Sequence, residues 1–95
     1  DFETVFSRQV EALGEAGDVL VALSTSGNSK NVIEAIKCAD TRGIHTVVLT
    51  GKSGGLLSNG GSVTIRIPSD DTQRIQEGHI TVGHILCELV ENSIR

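Results

Sequence analysis

Four hydroxyl side chains and a glycine crowd into six residues at Ser24-Thr25-Ser26-Gly27-Asn28-Ser29. Apolar Val19 to Leu23 precede them, and Val32, Ile33, Ile36 and Ala39 follow at helical spacing. This pattern reads as strand, polar turn, helix. A helix N-terminus leaves N–H groups unpaired and carries the positive end of the helix dipole. The hydroxyls add donors at the same point, so the turn suits a phosphate or phosphate-like anion. Ser, Thr and Asn are also ordinary capping and turn residues, so plain capping is the competing reading.

Two further residues have chemistry to offer. His84 sits on the polar side of a long C-terminal helical pattern. If that side faces a cleft, its imidazole is a candidate general acid–base group. The alternative is a solvated histidine beside Glu88, one turn on. Gln76 falls inside the apolar arc of the same helix, where an amide needs a partner. The two residues are about 12 Å apart along an ideal helix. A shared metal would therefore need converging long side chains or ligands from different chains. His79 lies nearer the apolar arc and reads as structural, and His45 is assigned no role. Gly51-Lys52-Ser53 invites comparison with a nucleotide-binding loop, but the glycine that loop requires would stand at position 46, which is Thr46. A flexible turn into Leu56-Leu57-Ser58 is the favoured reading there. Lys52 can still lie near a bound anion, because ligands of parallel sheets gather at the strand carboxyl ends.

The elements that must position these residues follow from periodicity. Phe2, Val5, Phe6, Val10 and Leu13 form a helical stripe over residues 2–13, ended by Gly14 and Gly17. Val19 to Leu23 is apolar at each position, as expected of a parallel strand covered on both faces. A helix is expected over residues 30–42, with Asn31 and Glu34 at capping-box spacing and Gly43 just past its end. Ile44 to Leu49 reads as a second buried strand, completing one strand–helix–strand crossover. Val63 to Ile67 alternates apolar and polar, which places this strand nearer a sheet edge, and Pro68 closes it. Ser69 to Thr72 supplies cap candidates for a last helix over 72–93. Its apolar residues span roughly 220° of arc, more than packing against one sheet requires. Part of that surface is expected to meet another chain or a further part of the protein. Three strands alone would leave a hydrophobic edge, so more strands are expected from another segment.

The 95 residues contain no Met and are read as one small domain belonging to a longer protein. The net charge of −4, without Tyr, Trp or a basic run, argues against a nucleic-acid surface. No apolar run approaches the roughly 20 residues of a membrane span, and no charged segment followed by an apolar one marks a secretory leader. Cys38 and Cys87 form no CxxC pair and read as free thiols in a reducing cytosol.

Taken together, Phe6-Ser7-Arg8-Gln9-Val10-Glu11-Ala12-Leu13, the Ser24 to Ser29 turn, Leu49-Thr50-Gly51-Lys52, and Arg74-Ile75-Gln76-Glu77 with His84 resemble the C-terminal half of the phosphoheptose isomerases. These are sugar isomerase (SIS) domain proteins. The resemblance covers nearly the whole chain. It implies a three-layer α-β-α, flavodoxin-like or Rossmann-like parallel sheet of five strands. Here only the C-terminal three strands and their flanking helices are expected. Residues 1–95 are then a single partial SIS domain without its N-terminal half. The resemblance also implies a cytoplasmic homotetramer with sites at subunit interfaces. The implied activity interconverts sedoheptulose 7-phosphate and D-glycero-D-manno-heptose 7-phosphate through an enediol, the first step toward activated heptose for bacterial surface glycans such as lipopolysaccharide.

By position, Ser24, Ser26 and Ser29 carry over as phosphate ligands, with Thr25 lining the loop. Gln76 and His84 match positions that complete the active site and, in members with zinc, bind the metal; His84 would also be the acid–base group. The family's Asn-Gly-Gly-Ser loop, its catalytic Glu and its other metal-ligating His belong to the other half. The chain alone is therefore expected to be inactive. Asp71-Thr72-Gln73 falls where the family varies, and Thr72 is the candidate substrate contact there. The rival reading is a non-catalytic SIS module, either a phosphosugar sensor or a relative of the replication-initiator-associating scaffolds. His84 favours the isomerase.

Overall fold

The computed structural model describes residues 1–58 and 60–94. A single 3-10 turn, Phe2–Thr4, leads into helix α1 (Val5–Leu13). Strand β1 (Val19–Leu23), helix α2 (Lys30–Thr41) and strand β2 (His45–Thr50) follow. A short 3-10 turn at Gly55–Leu57 precedes strand β3 (Val63–Arg66), and helix α3 (Thr72–Ser93) ends the described chain. The strands form one parallel sheet in the order β1-β2-β3, with Val21 opposite Val47 and Leu49 opposite Ile65. The expected parallel sheet with flanking helices is therefore present, and β3 lies at an edge as its alternation predicted.

Ala22 and Val48 are register partners and share a sheet face. They pack with Ile36 of α2 and Leu57 in a buried cluster, flanked by Leu20, Val32 and Ile33. Thr46 is fully buried in the middle strand yet satisfied: its N–H donates to Ser62 Oγ (3.2 Å), and its Oγ1 accepts from the Ser62 N–H (3.1 Å). This reciprocal pair ties β2 to the start of β3.

Two expectations are corrected. Asn31 and Glu34 do not form a capping box. The N-cap of α2 is Ser29; Asn31 Oδ1 accepts from the Val32 N–H (2.9 Å), and Glu34 pairs with Lys37 at 3.5 Å. The helix starts two residues too early for Asn31 to be its N-cap. Nor is β1 covered on both faces. Val19, Val21 and Leu23 share one face and are all more than 40% exposed, because α2 packs on the other face, against Leu20 and Ala22. Beside it, Phe6, Val10, Val21 and Val32 line an open apolar groove of about 350 Å³ between α1, β1 and α2.

Candidate functional site

The Ser24 to Ser29 turn leaves the carboxyl end of β1 and enters α2. Its first residue is locked in place. The Ser24 N–H donates to the Leu49 carbonyl (3.0 Å), and buried Ser24 Oγ accepts from the Gly27 N–H (3.1 Å). Ser24 Oγ and Ser29 Oγ share a hydrogen bond of 2.7 Å across the turn. Ser26 is exposed, and its Oγ accepts from the Asn28 N–H (3.0 Å). Ser29 makes no side-chain cap, so its hydroxyl does not occupy the first N–H groups of α2. Of these the Val32 N–H is taken by Asn31 Oδ1, and those of Lys30 and Asn31 are left for a group over the turn.

The loop after β2 buttresses this turn. Gly27 has φ +72°, and a side chain there would run into the Gly54 carbonyl. The Leu57 N–H donates to the Gly27 carbonyl (3.1 Å), the Leu56 N–H to Asn28 Oδ1 (2.8 Å), and the Gly51 N–H to the Thr25 carbonyl (3.1 Å). The Gly51 to Gly55 segment is thus a close-packed backbone support for the Ser/Thr turn. A Cβ at Gly51 would run into the Thr25 carbonyl, and one at Gly55 into the Ser26 carbonyl. The sequence signal was available in Gly27 together with Gly54-Gly55, but their proximity is tertiary.

Helix α3 supplies the far wall. Its N-cap is Asp71, whose carboxylate accepts from the Gln73 N–H (2.9 Å). Ile75 and His79 are buried against the sheet. The His79 Nε2–H donates to the Thr50 carbonyl at the end of β2 (2.9 Å), which leaves Nδ1 as the acceptor nitrogen. The structural reading of His79 holds, although its ring also lines a cleft.

Two clefts flank the turn, and both are bordered by Thr25. One, of about 420 Å³, is lined by Leu23, Ser24, Thr25, Ser29, Gln76 and His79. The other, of about 350 Å³, is polar and includes Thr25, Ser26, Lys52, Asp70 and Thr72 in its walls. Thr72 and Gln76 are one helical turn apart on α3 and line one cleft each. Six of the seven residues singled out from sequence are therefore assembled around Thr25. The seventh, His84, is exposed on α3 and lines neither cleft.

The described residues do not by themselves compose a zinc site. Gln76 faces the first cleft, while His84 lies two turns further along α3, about 12 Å on an ideal helix. Among the described residues no group of three or more His, Cys, Asp or Glu side chains is placed to hold a metal. Among them, too, no helix is long and apolar enough to cross a membrane.

The SIS domain family model matches residues 1–51. The phosphoheptose isomerase of Akkermansia muciniphila is 54% identical over 93 residues, covering 98% of this chain and 49% of that protein. That of Sulfurimonas denitrificans is 50% identical over 93 residues, with 98% and 48% covered. The solved structure of phosphoheptose isomerase GmhA from Neisseria gonorrhoeae superposes with a TM-score of 0.88 at 50% identity, covering 94% of this chain and 51% of that one. A phosphoheptose isomerase from Francisella tularensis superposes with a TM-score of 0.90 at 37% identity, with 96% and 49% covered. The chain spans about half the length of the curated relatives it matches.

Proposed function

The chain belongs to the SIS-domain family, and from that premise we propose that it is the phosphosugar-binding part of a phosphoheptose isomerase. One observation carries the reading: in a chain half identical to phosphoheptose isomerases, the Ser24 to Ser29 turn and Gln76 of α3 border one cleft at the strand carboxyl ends. The proposed substrate pair is sedoheptulose 7-phosphate and D-glycero-D-manno-heptose 7-phosphate, at the start of activated-heptose synthesis for lipopolysaccharide.

The chemistry moves one carbon-bound proton between neighbours. A base removes a proton from C1 of the ketose, and the carbonyl oxygen at C2 takes up a proton, giving an enediol. Reprotonation at C2 and loss of the O1 proton give the aldose, so atoms balance with no external reagent. The turn's part is positional. It holds the phosphate, so the reacting carbons lie in register with the groups that move protons. Gln76 can hydrogen-bond a sugar oxygen from the wall of the cleft. His84 is the proposed acid–base group, acting where a further surface closes over α3.

Such a surface is expected from a homotetramer, because Ile85, Leu89 and Val90 near His84 are each at least half exposed. For zinc the proposal is confined to donors: Gln76 and His84 are what this chain offers, and the remaining ligands would come from outside it. Metal analysis of the complete protein would then find zinc lost in a Gln76→Ala variant. A cytoplasmic compartment, with neither nucleic acid nor membrane as partner, completes the proposal.

The test is turnover of sedoheptulose 7-phosphate by the complete protein carrying these residues, followed by NMR. Appearance of the aldose phosphate is the expected result. Binding of the sugar phosphate without turnover would instead assign the protein to a sensing or scaffold role.

A further inference from the structure

His79 is 3% exposed, and the fold uses one of its two ring nitrogens. The Thr50 carbonyl can only accept, so Nε2 carries the proton in that bond. The same carbonyl accepts from the Ile67 N–H (3.0 Å), so the ring is fixed to backbone where β2 and β3 end. Nδ1 then holds a lone pair, and nothing among the described residues donates to it. It is not sealed in the core, because among the described residues every side-chain nitrogen or oxygen closed off from solvent has a partner. The surface that the ring does reach is the cleft of about 420 Å³ shared with Ser24, Ser29 and Gln76. A buried imidazole with one nitrogen locked and the other open to a cleft calls for a donor from that cleft.

We infer that His79 is a further substrate contact: its Nδ1 accepts a hydrogen bond from one hydroxyl of the sugar chain and selects a polyol that carries that hydroxyl. A lone pair repels a phosphoryl oxygen, so this nitrogen takes no part in holding the phosphate. Its neighbours do not duplicate it. Ser24, Thr25, Ser29 and Gln76, the other polar side chains lining the cleft, can each donate as well as accept, whereas His79 in this tautomer offers an acceptor alone. His79 and Gln76 are three residues apart and adjacent on the surface of α3, so one sugar can meet both. The tie to Thr50 keeps the ring from turning to find another partner. A fixed acceptor left unpaired discriminates against an analogue that lacks the donor. The inference rests on the phosphosugar reading and adds to it the atom that reads the sugar chain beyond the phosphate.

The experiment compares the complete protein with His79→Gln and His79→Asn variants in calorimetry. The probes are sedoheptulose 7-phosphate, a set of its analogues each lacking one hydroxyl, and inorganic phosphate. A glutamine N–H can replace Nε2–H on the Thr50 carbonyl but puts no acceptor at the Nδ1 position; an asparagine oxygen replaces Nδ1 but its side chain falls short of Thr50. His79→Gln should bind the parent sugar about tenfold more weakly, the scale of one hydrogen bond, and bind one analogue as tightly as the unaltered protein does. Inorganic phosphate should bind unchanged. His79→Asn should melt at a lower temperature and keep the preference for the parent over that analogue. Equal losses on all the sugars in His79→Gln, no loss at all, or loss of the preference in His79→Asn would overturn the contact. The two readings fail separately. Turnover with sugar affinities indifferent to His79 removes the contact and keeps the isomerase, whereas a His79-dependent preference in binding without turnover does the reverse.

Discussion

The two halves of α3 have the same apolar character and opposite fates. In the first half, Ile75 and His79 are buried, Gly78 lets the helix approach Ile67, and the His79 ring is tied to the Thr50 carbonyl. In the second half, Ile85, Leu89 and Val90 are at least half exposed, and of the larger apolar side chains only Leu86 keeps partial cover. The first half belongs to this sheet. The second half has the composition of a core and no core in these residues to enter. A helix whose apolar arc exceeds what its sheet can cover is divided between folding and association.

Variants along and around α3 would sharpen or break that division. The largest effect expected is on catalysis from the exposed half. His84→Gln should lower turnover of the heptose phosphate by about 10²- to 10⁴-fold, the usual reach of a general acid–base group, with the melting curve unchanged. An unchanged rate would remove His84 from the chemistry and leave the second half of α3 with association alone.

Ile75→Ala, in the buried half, should instead cost about 2–5 kcal/mol of stability in denaturant unfolding, because it leaves a cavity against the sheet. A smaller loss would mean that α3 is held to the sheet by something other than this contact. Gly27→Ala tests the support behind the Ser/Thr turn. Forcing a side chain into φ +72° costs about 1–3 kcal/mol, and displacing the Gly54 carbonyl should also weaken phosphate binding. The smallest change in the chain's own stability is expected for Leu89→Ala, within about 0.5 kcal/mol at dissociating concentrations. On the proposed assembly, the same variant should shift the complete protein toward smaller species in sedimentation. Equal stability losses for Ile75→Ala and Leu89→Ala, without change in assembly, would end the comparison.

Local physics made much of this legible in the chain. An unbroken apolar run, a polar turn and a 3.6-residue period placed β1, the turn and α2 within a residue or two. The same reasoning placed α3 at its observed bounds and its Asp71 cap among the candidates. It also marked β3 as an edge, His79 as structural and the α3 arc as too wide for one sheet. Each is a property of neighbours within a turn or a strand, where the spacing of residues decides the face they share.

What only the tertiary structure decided concerns residues far apart in the chain. It set Gly27 against Gly54 and turned a loop read as flexible into the floor of the site. It divided the hydroxyl cluster between two clefts, giving Ser26 to Thr72 and Ser24 to Gln76, with Thr25 shared. It also kept His84 away from both. Periodicity assigns a residue to a face of its own element. Which face of another element lies opposite depends on how strands pair and helices pack, and no spacing along the chain encodes that distance.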